Sequence, residues 1–164
     1  AGLPESGPLI GNVAALVGHK DHATLLRAFA IVHRERPDAR LAIAGEGPLR
    51  SELEALAHAQ GVADAVSFLG YRDDVPRLMP LFDLFVLSSR EEGLGTSVLD
   101  AMLCGTPVAA TAAGGIPEMV RDGVTGRLVP KENPHALAAA ILAQLADPGH
   151  ARRMAEAARD VALA

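Results

Sequence analysis

A single cysteine, Cys104, stands in a chain of 164 residues, so the sequence offers neither an internal disulfide nor a cysteine-built zinc centre. In the apolar run Met102-Leu103-Cys104 that thiol reads as a packing residue. No apolar stretch approaches the roughly 20 residues that a membrane-spanning helix requires, and no signal peptide opens the chain, so a cytoplasmic protein is the expectation. Basic residues nowhere gather into a block and the formal net charge is −5, which argues against nucleic acid as the main partner. Tandem repeats and low-complexity tracts are missing too, and the length suits one domain with a proper core.

What is present is an ordinary globular composition, 49% hydrophobic and 21% charged. Short apolar runs at 9–17, 41–44, 66–69, 84–87, 108–110 and 126–129 read as buried strands. Helical patterns at 22–36, 49–60, 75–80, 96–104, 116–121, 134–145 and 150–163 alternate with them. That alternation predicts an α/β fold: a doubly wound parallel sheet, Rossmann-like, of about six strands with helices on both faces, forming a single domain over 9–164. Residues 1–8, rich in Gly, Pro and Ser, are expected to be a linker remnant. In such a sheet ligands gather at the carboxyl ends of the strands. The loops 17–22, 45–48, 70–74 and 88–95 are expected to converge there on one cleft.

The richest of these is Ser89-Arg90-Glu91-Glu92-Gly93-Leu94-Gly95-Thr96-Ser97-Val98-Leu99-Asp100. A buried strand empties through a glycine-bearing loop into a helix expected to begin at Thr96 or Ser97. The first N–H groups of a helix have no intrahelical partner and carry partial positive charge, so a phosphate can dock there. Glu92 in the loop and Asp100, placed in the first helical turn with seven residues between, bracket that spot. Carboxylates so placed accept hydrogen bonds from sugar hydroxyls. Gly93 and Gly95 let the backbone approach a ligand closely. Ser97-x-x-Asp100 also reads as a capping box, a role compatible with ligand binding.

Gly45-Glu46-Gly47-Pro48 has Arg50 where a dinucleotide fingerprint needs its third glycine, so it reads as a strand-to-helix turn. His19-x-x-His22 lacks acids or cysteines at ligand spacing, and no metal site is expected. In Gly70-Tyr71-Arg72-Asp73-Asp74, Tyr71 and Arg72 suit stacking on or hydrogen bonding to a base, while Asp73 or Asp74 equally suits an N-cap.

The Glu92-to-Asp100 spacing resembles the E-x7-E signature of family 4 glycosyltransferases, retaining enzymes that move a sugar from a nucleotide diphosphate donor. The resemblance runs from about Ile10 to the last helix. Phe68-Leu69-Gly70-Tyr71, Gly105-Thr106-Pro107-Val108 and Gly114-Gly115-x-Pro117-Glu118 stand in the family's order and spacing. It implies the donor-binding half of a fold of two Rossmann-like domains (GT-B), the acceptor-binding N-terminal half being elsewhere. By the same resemblance Glu92 and Lys20 form the catalytic pair, Glu92 on the donor sugar and Lys20 on the diphosphate, while Asp100 meets the ribose. Gly93, Leu94, Gly95, Thr96 and Ser97 would complete the donor site. Gly45 would line the cleft, and Gly70, Tyr71 and Arg72 would hold the base. Two positions depart from the family pattern: Asp100 is one methylene shorter than the usual glutamate, and Ala15 stands where an arginine joins the lysine. The implied partners are a nucleotide sugar and the N-terminal acceptor domain, with no metal or other cofactor and any membrane contact left to the other half. A sugar-nucleotide epimerase half and a non-catalytic nucleotide-binding or interaction module are the alternatives.

Overall fold

In the computed structural model the described residues are 7–164, so the linker expectation for residues 1–6 lies outside them. The chain alternates β1 (Leu9–Val13), α1 (His22–Glu35), β2 (Arg40–Ala44), α2 (Arg50–Ala59), β3 (Val66–Gly70), α3 (Val75–Leu78) and β4 (Leu84–Leu87). It continues with α4 (Thr96–Leu103), β5 (Val108–Thr111), α5 (Ile116–Met119), β6 (Arg127–Val129), α6 (Pro134–Ala146) and α7 (Pro148–Leu163). The six strands form one sheet in the order β3-β2-β1-β4-β5-β6, and every pairing is parallel. The doubly wound fold read from the sequence is the one found.

The inner strands are largely apolar on both sides because helices cover both faces, while the edge strands β3 and β6 are only half-buried. Ile10, Leu41, Ile43, Leu84 and Val86 point to one face and pack with Leu25, Phe29 and Val32 of α1 and with Leu137 and Ile141 of α6. Leu9, Ala42, Ala44, Phe85 and Leu87 point to the other, where Val98, Ala101 and Met102 of α4 and Ala158 of α7 meet them. Successive residues of a strand therefore serve opposite cores, as a period of two demands.

Some boundaries differ from the sequence reading. β1 stops at Val13 instead of running to 17, because the chain peels away to pair with the loop after β2: Leu16 N donates to Glu46 O (2.9 Å) and Leu49 N to Leu16 O (3.2 Å). Leu16 is still buried, so its apolar character reflects packing over the sheet and not membership in it. α7 begins two residues earlier than expected, with Asp147 Oδ1 accepting from His150 N at 3.1 Å. α3 and α5 are single turns.

The order reverses at β1, where the chain steps outward to β2 and β3 on one side and β4, β5 and β6 on the other. Loops leaving β1 and β4 diverge there to opposite faces and leave a crevice, the usual ligand position in open α/β sheets.

Candidate functional site

The loop after β1 makes one 3-10 turn, Gly18–Lys20, and enters α1 through Asp21. It is fastened to the loop after β4 by four donors. Arg90 N donates to His19 O (2.8 Å), Arg90 Nη2 to Gly18 O (2.7 Å), and the buried Ser88 hydroxyl reaches Asp21 O (2.9 Å) and Lys20 O (3.2 Å). Glu91 N adds a longer bond to His19 O. Two segments some 70 residues apart in sequence thus form one rigid rim.

Across that rim Lys20 Nζ donates to Glu92 Oε1 at 2.9 Å and to Oε2 at 2.8 Å, and Ser89 Oγ donates to Oε2 at 2.8 Å. Both charged side chains are largely covered, at 19% and 10% exposed, so the pair is held more tightly than a surface ion pair. The Ser89 carbonyl accepts from Thr111 Oγ1 of β5 at 2.6 Å. Beneath the loop, the αL glycine Gly114 (φ +51°) lies so close that a Cβ there would stand 1.5 Å from Glu92 O. Gly115 N donates to Gly93 O at 3.1 Å.

α4 starts at Thr96, with Gly95 as N-cap in the left-handed region (φ +65°). A Cβ at Gly95 would meet the mobile end of Met119, Cε, at 2.8 Å, so it is the left-handed backbone that favours glycine here. No side chain caps this helix, so the Thr96 and Ser97 amides keep their donors for something else. Glu92 Cγ passes 3.9 Å from the position of that same Cβ, which puts the Glu92 stem beside the helix start.

The capping-box reading of Ser97 and Asp100 is corrected: Gly95 takes the N-cap position, so Asp100 is the fifth helical residue and no acid lies in the first turn. Asp100 is exposed one turn along, on the face of Thr96 and Ser97, and has none of the bonds that hold Glu92. Its charge and the burial of the thiol, burial first, push the Cys104 thiol above its ordinary pKa.

Around the crevice lie two hollows. One, of about 350 Å³, is lined by His19, Glu91, Glu92 and Gly93, and Leu94, next in the chain, is 82% exposed. The other, of about 270 Å³ and mainly apolar, lies between Ala14, Ala15, Gly45, Glu46, Tyr71 and Arg72. Gly45 N donates to Gly70 O at 2.8 Å, joining the two loops that shape it. Tyr71 is 76% exposed at its edge. Arg72 is bound by Asp74 through Nε (2.8 Å) and Nη2 (2.6 Å), and this bond holds the arginine's pKa up and the carboxyl's down. The N-cap expectation for Asp74 is corrected in the same way: it occupies that position, but its carboxylate serves Arg72 and caps no amide. A roomier hollow, about 520 Å³, opens near Pro8, Asp83 and Pro107, which precede β1, β4 and β5. It lies at the amino end of the sheet, away from the crevice, and we place the chemistry at the smaller hollows for that topological reason.

The sequence reading passed over Asn12 and Thr111, gave Ser88 and Ser89 no role beyond their place in the loop, and saw His22 as a helix start and as half of a rejected metal pattern. All five are buried. The available signal was position: all but His22, which opens α1, are polar residues inside or just after an apolar strand run. Asn12 Nδ2 donates to Val86 O (2.8 Å), so its Oδ1 faces His22 Nε2 (3.0 Å), which must carry the proton. His22 Nδ1 has no partner among the described residues. Burial, opposed by Asp21 and aided by Lys20, lowers the His22 pKa from 6.5 to about 4. The unfolded chain therefore takes up this proton first as pH falls. Stability attached to neutral His22 is complete above about pH 6.5 and declines towards pH 4, by about 3 kcal/mol in all at 1.36 kcal/mol per unit. Urea midpoints measured from pH 7 to 4.5 should fall more steeply in the native chain than in His22→Phe; equal slopes would remove His22 as the cause.

With this geometry established, comparison with known proteins places the chain. The family model described as glycosyl transferases group 1 matches residues 1–161. The chain belongs to that family. It is 36% identical, over 95% of its length, to a GDP-mannose-dependent alpha-(1-6)-phosphatidylinositol monomannoside mannosyltransferase of Mycolicibacterium smegmatis, covering 43% of that protein. It is 33% identical, over 97% of its length, to the N-acetyl-alpha-D-glucosaminyl L-malate synthase of Bacillus anthracis, covering 42% of it. Among solved structures, Anabaena HepE in complex with UDP and glucose superposes with a TM-score of 0.88 at 31% identity, over 94% of this chain and 43% of that one. The chain thus spans about two fifths of the length of these relatives. Among the described residues, no helix is long and apolar enough to cross a membrane.

Proposed function

We propose that this chain is the donor-binding half of a retaining glycosyltransferase that moves a hexosyl group from a nucleotide diphosphate sugar to an acceptor bound by a second, N-terminal domain. The observation that carries the reading is the contact of Lys20 with Glu92 beside the uncapped start of α4. A cation, a carboxylate and free amides within one crevice suit the three parts of such a donor. Lys20 and the Thr96 and Ser97 amides would hold the diphosphate, and Glu92, with Gly93 and Leu94 at the rim, would hold the sugar. The apolar hollow between Gly45, Tyr71 and Arg72, with Gly70 O bound by Gly45 N at its edge, suits the base. Asp100, on the same helix face as Thr96, suits the ribose if the ribose lies one turn down.

The leaving diphosphate gains negative charge as the glycosidic bond breaks, and Lys20 with the helix N-terminus is aimed at that charge. The reading calls on no metal or other cofactor, since cation and amides do that work, and it suits a cytoplasmic setting where nucleotide sugars are at hand. Relatives that act on or bind GDP-mannose and UDP support the donor class. Because the acceptor side lies in the other half, the 164-residue chain alone is expected to bind donor weakly and transfer nothing.

Calorimetry with UDP, GDP, ADP and their hexose derivatives tests this. One nucleotide should bind, and Lys20→Ala should weaken it by about 1.5–3 kcal/mol, roughly ten- to hundredfold. Heat with none of them would leave an interaction module, and conversion of a sugar nucleotide by the full-length protein without any acceptor would mean an epimerase. An unchanged dissociation constant in Lys20→Ala would return Lys20 to the solvent.

A further inference from the structure

Two residues before α1 settles into its first full turn, Lys20 must hold its ammonium at the crevice on a backbone that is strained. Asp21, the N-cap, is one of two non-glycine residues with positive φ among the described residues, at φ +49° and ψ +52°. A non-glycine residue keeps such a conformation only where its neighbours over-determine it. The neighbours here are specific. Asp21 binds its own helix through Thr24 N (3.3 Å) and Thr24 Oγ1 (2.6 Å). Ser88 Oγ shares its one proton between the successive carbonyls of Lys20 (3.2 Å) and Asp21 (2.9 Å). From beneath, His22 is anchored to Asn12, which is fully buried in β1.

The anchor stands where two strands part. β1 and β4 pair through Ile10–Leu84 and Gly11–Phe85, and at the next position the Asn12 side chain, not backbone, meets the Val86 carbonyl. The amide thereby ties three things at one point: β1, β4 and the first residue of α1. None of Asn12, His22 or Ser88 reaches the crevice with a reactive group, and a hydrophobic trio would fill the same space. Buried polar groups of this kind carry a desolvation cost that apolar replacements avoid. Their geometry points to Lys20, which lies two residues from His22 and has its own carbonyl bound by Ser88.

We propose that His22, with Asn12 and Ser88, is a positioning residue for the donor site: the buried imidazole–amide bond fixes the start of α1, and this delivers Lys20 to the diphosphate. The proposal rests on the donor reading of Lys20 given above. His22 acts as a neutral donor through Nε2, so its contribution is one of direction and does not depend on charge.

The test is a double-mutant cycle on the full-length protein, with UDP, GDP and ADP titrated and the tightest binder followed, and with thermal melts beside each titration. His22→Phe keeps an aromatic ring, somewhat larger than the imidazole, and removes the donor; it should weaken the nucleotide diphosphate about tenfold in the native background. In a Lys20→Ala background the same change should have no further effect, because there is no ammonium left to misplace. His22→Gln, which restores an N–H donor towards Asn12 Oδ1, should recover part of the affinity. Ser88→Ala should repeat the pattern, and it carries the cycle if His22→Phe fails to fold. Equal losses in both backgrounds, or no loss in a folded His22→Phe protein, overturn the proposal. Indifference of the binding to Lys20→Ala, or the absence of any binding nucleotide, overturns instead the donor reading on which it stands.

Discussion

Glu92→Gln is expected to lower sugar transfer by the full-length protein by about a hundredfold to a thousandfold while tightening its binding of a bare nucleotide diphosphate. The two effects have opposite signs because Glu92 stands in two relations at once. On the proposed reading it offers carboxylate oxygens to a donor sugar, and loss of one charged contact to a reacting group removes transition-state stabilisation of about 2.7–4 kcal/mol, the scale found for single preorganised groups. Towards Lys20 it is a competitor, since its two oxygens hold the ammonium at 2.9 and 2.8 Å and a diphosphate must draw that cation away. Glutamine keeps the shape but drops the charge, and it offers Lys20 one carbonyl oxygen where the carboxylate offered two, its NH2 group facing the donor-only ammonium at the other position. Lys20 is then released, and a gain of up to about tenfold in diphosphate affinity follows. Steady-state transfer assays and calorimetry with UDP, GDP and ADP read the two effects separately. Weaker binding together with slower transfer would make Glu92 a structural brace for the loop and not a sugar contact.

The frame of this domain was open to reading because its strands are short apolar runs between turn residues, and a sheet covered on both faces leaves no other place for runs such as Leu84-Phe85-Val86-Leu87. The crevice followed from topology, since parallel strands send their ligand-binding loops to one end. Individual roles were harder. Lys20 and Glu92 are 72 positions apart, and only the family resemblance paired them before the coordinates did. Asp100 looked like a cap because Ser97 precedes it by three, yet the choice of N-cap falls to Gly95, whose left-handed backbone and contact with Met119 belong to tertiary structure. Asn12 sits in a strand run where propensity disfavours it, and its reason, the parting of β1 from β4, is invisible along the chain. His19-x-x-His22 carried no ligand chemistry in the sequence and gave no hint of the actual role of His22, which helix formation turns inward to Asn12 while His19 stays exposed at the rim.

Gly114→Ala should abolish nucleotide-sugar binding, and Gly123→Ala should leave it intact, although both glycines have positive φ, +51° and +79°. The shared backbone penalty for alanine in the left-handed region is about 1–2 kcal/mol. At Gly123 nothing lies within 4 Å of the added methyl, so that penalty is the whole effect. At Gly114 the methyl would fall 1.5 Å from Glu92 O, 2.5 Å from its carbonyl carbon and 3.2 Å from its Cα, all backbone atoms that no rotamer change can move aside. The loop must lift, and it cannot lift alone, because Thr111 holds the Ser89 carbonyl and Gly115 holds that of Gly93. Carrying Glu92 away breaks its bonds with Lys20 and Ser89 together. We expect a total loss of about 3–5 kcal/mol of stability, a melting temperature lower by about 6–20 °C at 2–4 °C per kcal/mol, and no measurable donor binding in what remains folded. Melts and titrations of the two alanine variants side by side decide the matter: matching losses would mean that φ alone is at stake, and that the contact between Gly114 and the Glu92 loop has no part in shaping the site.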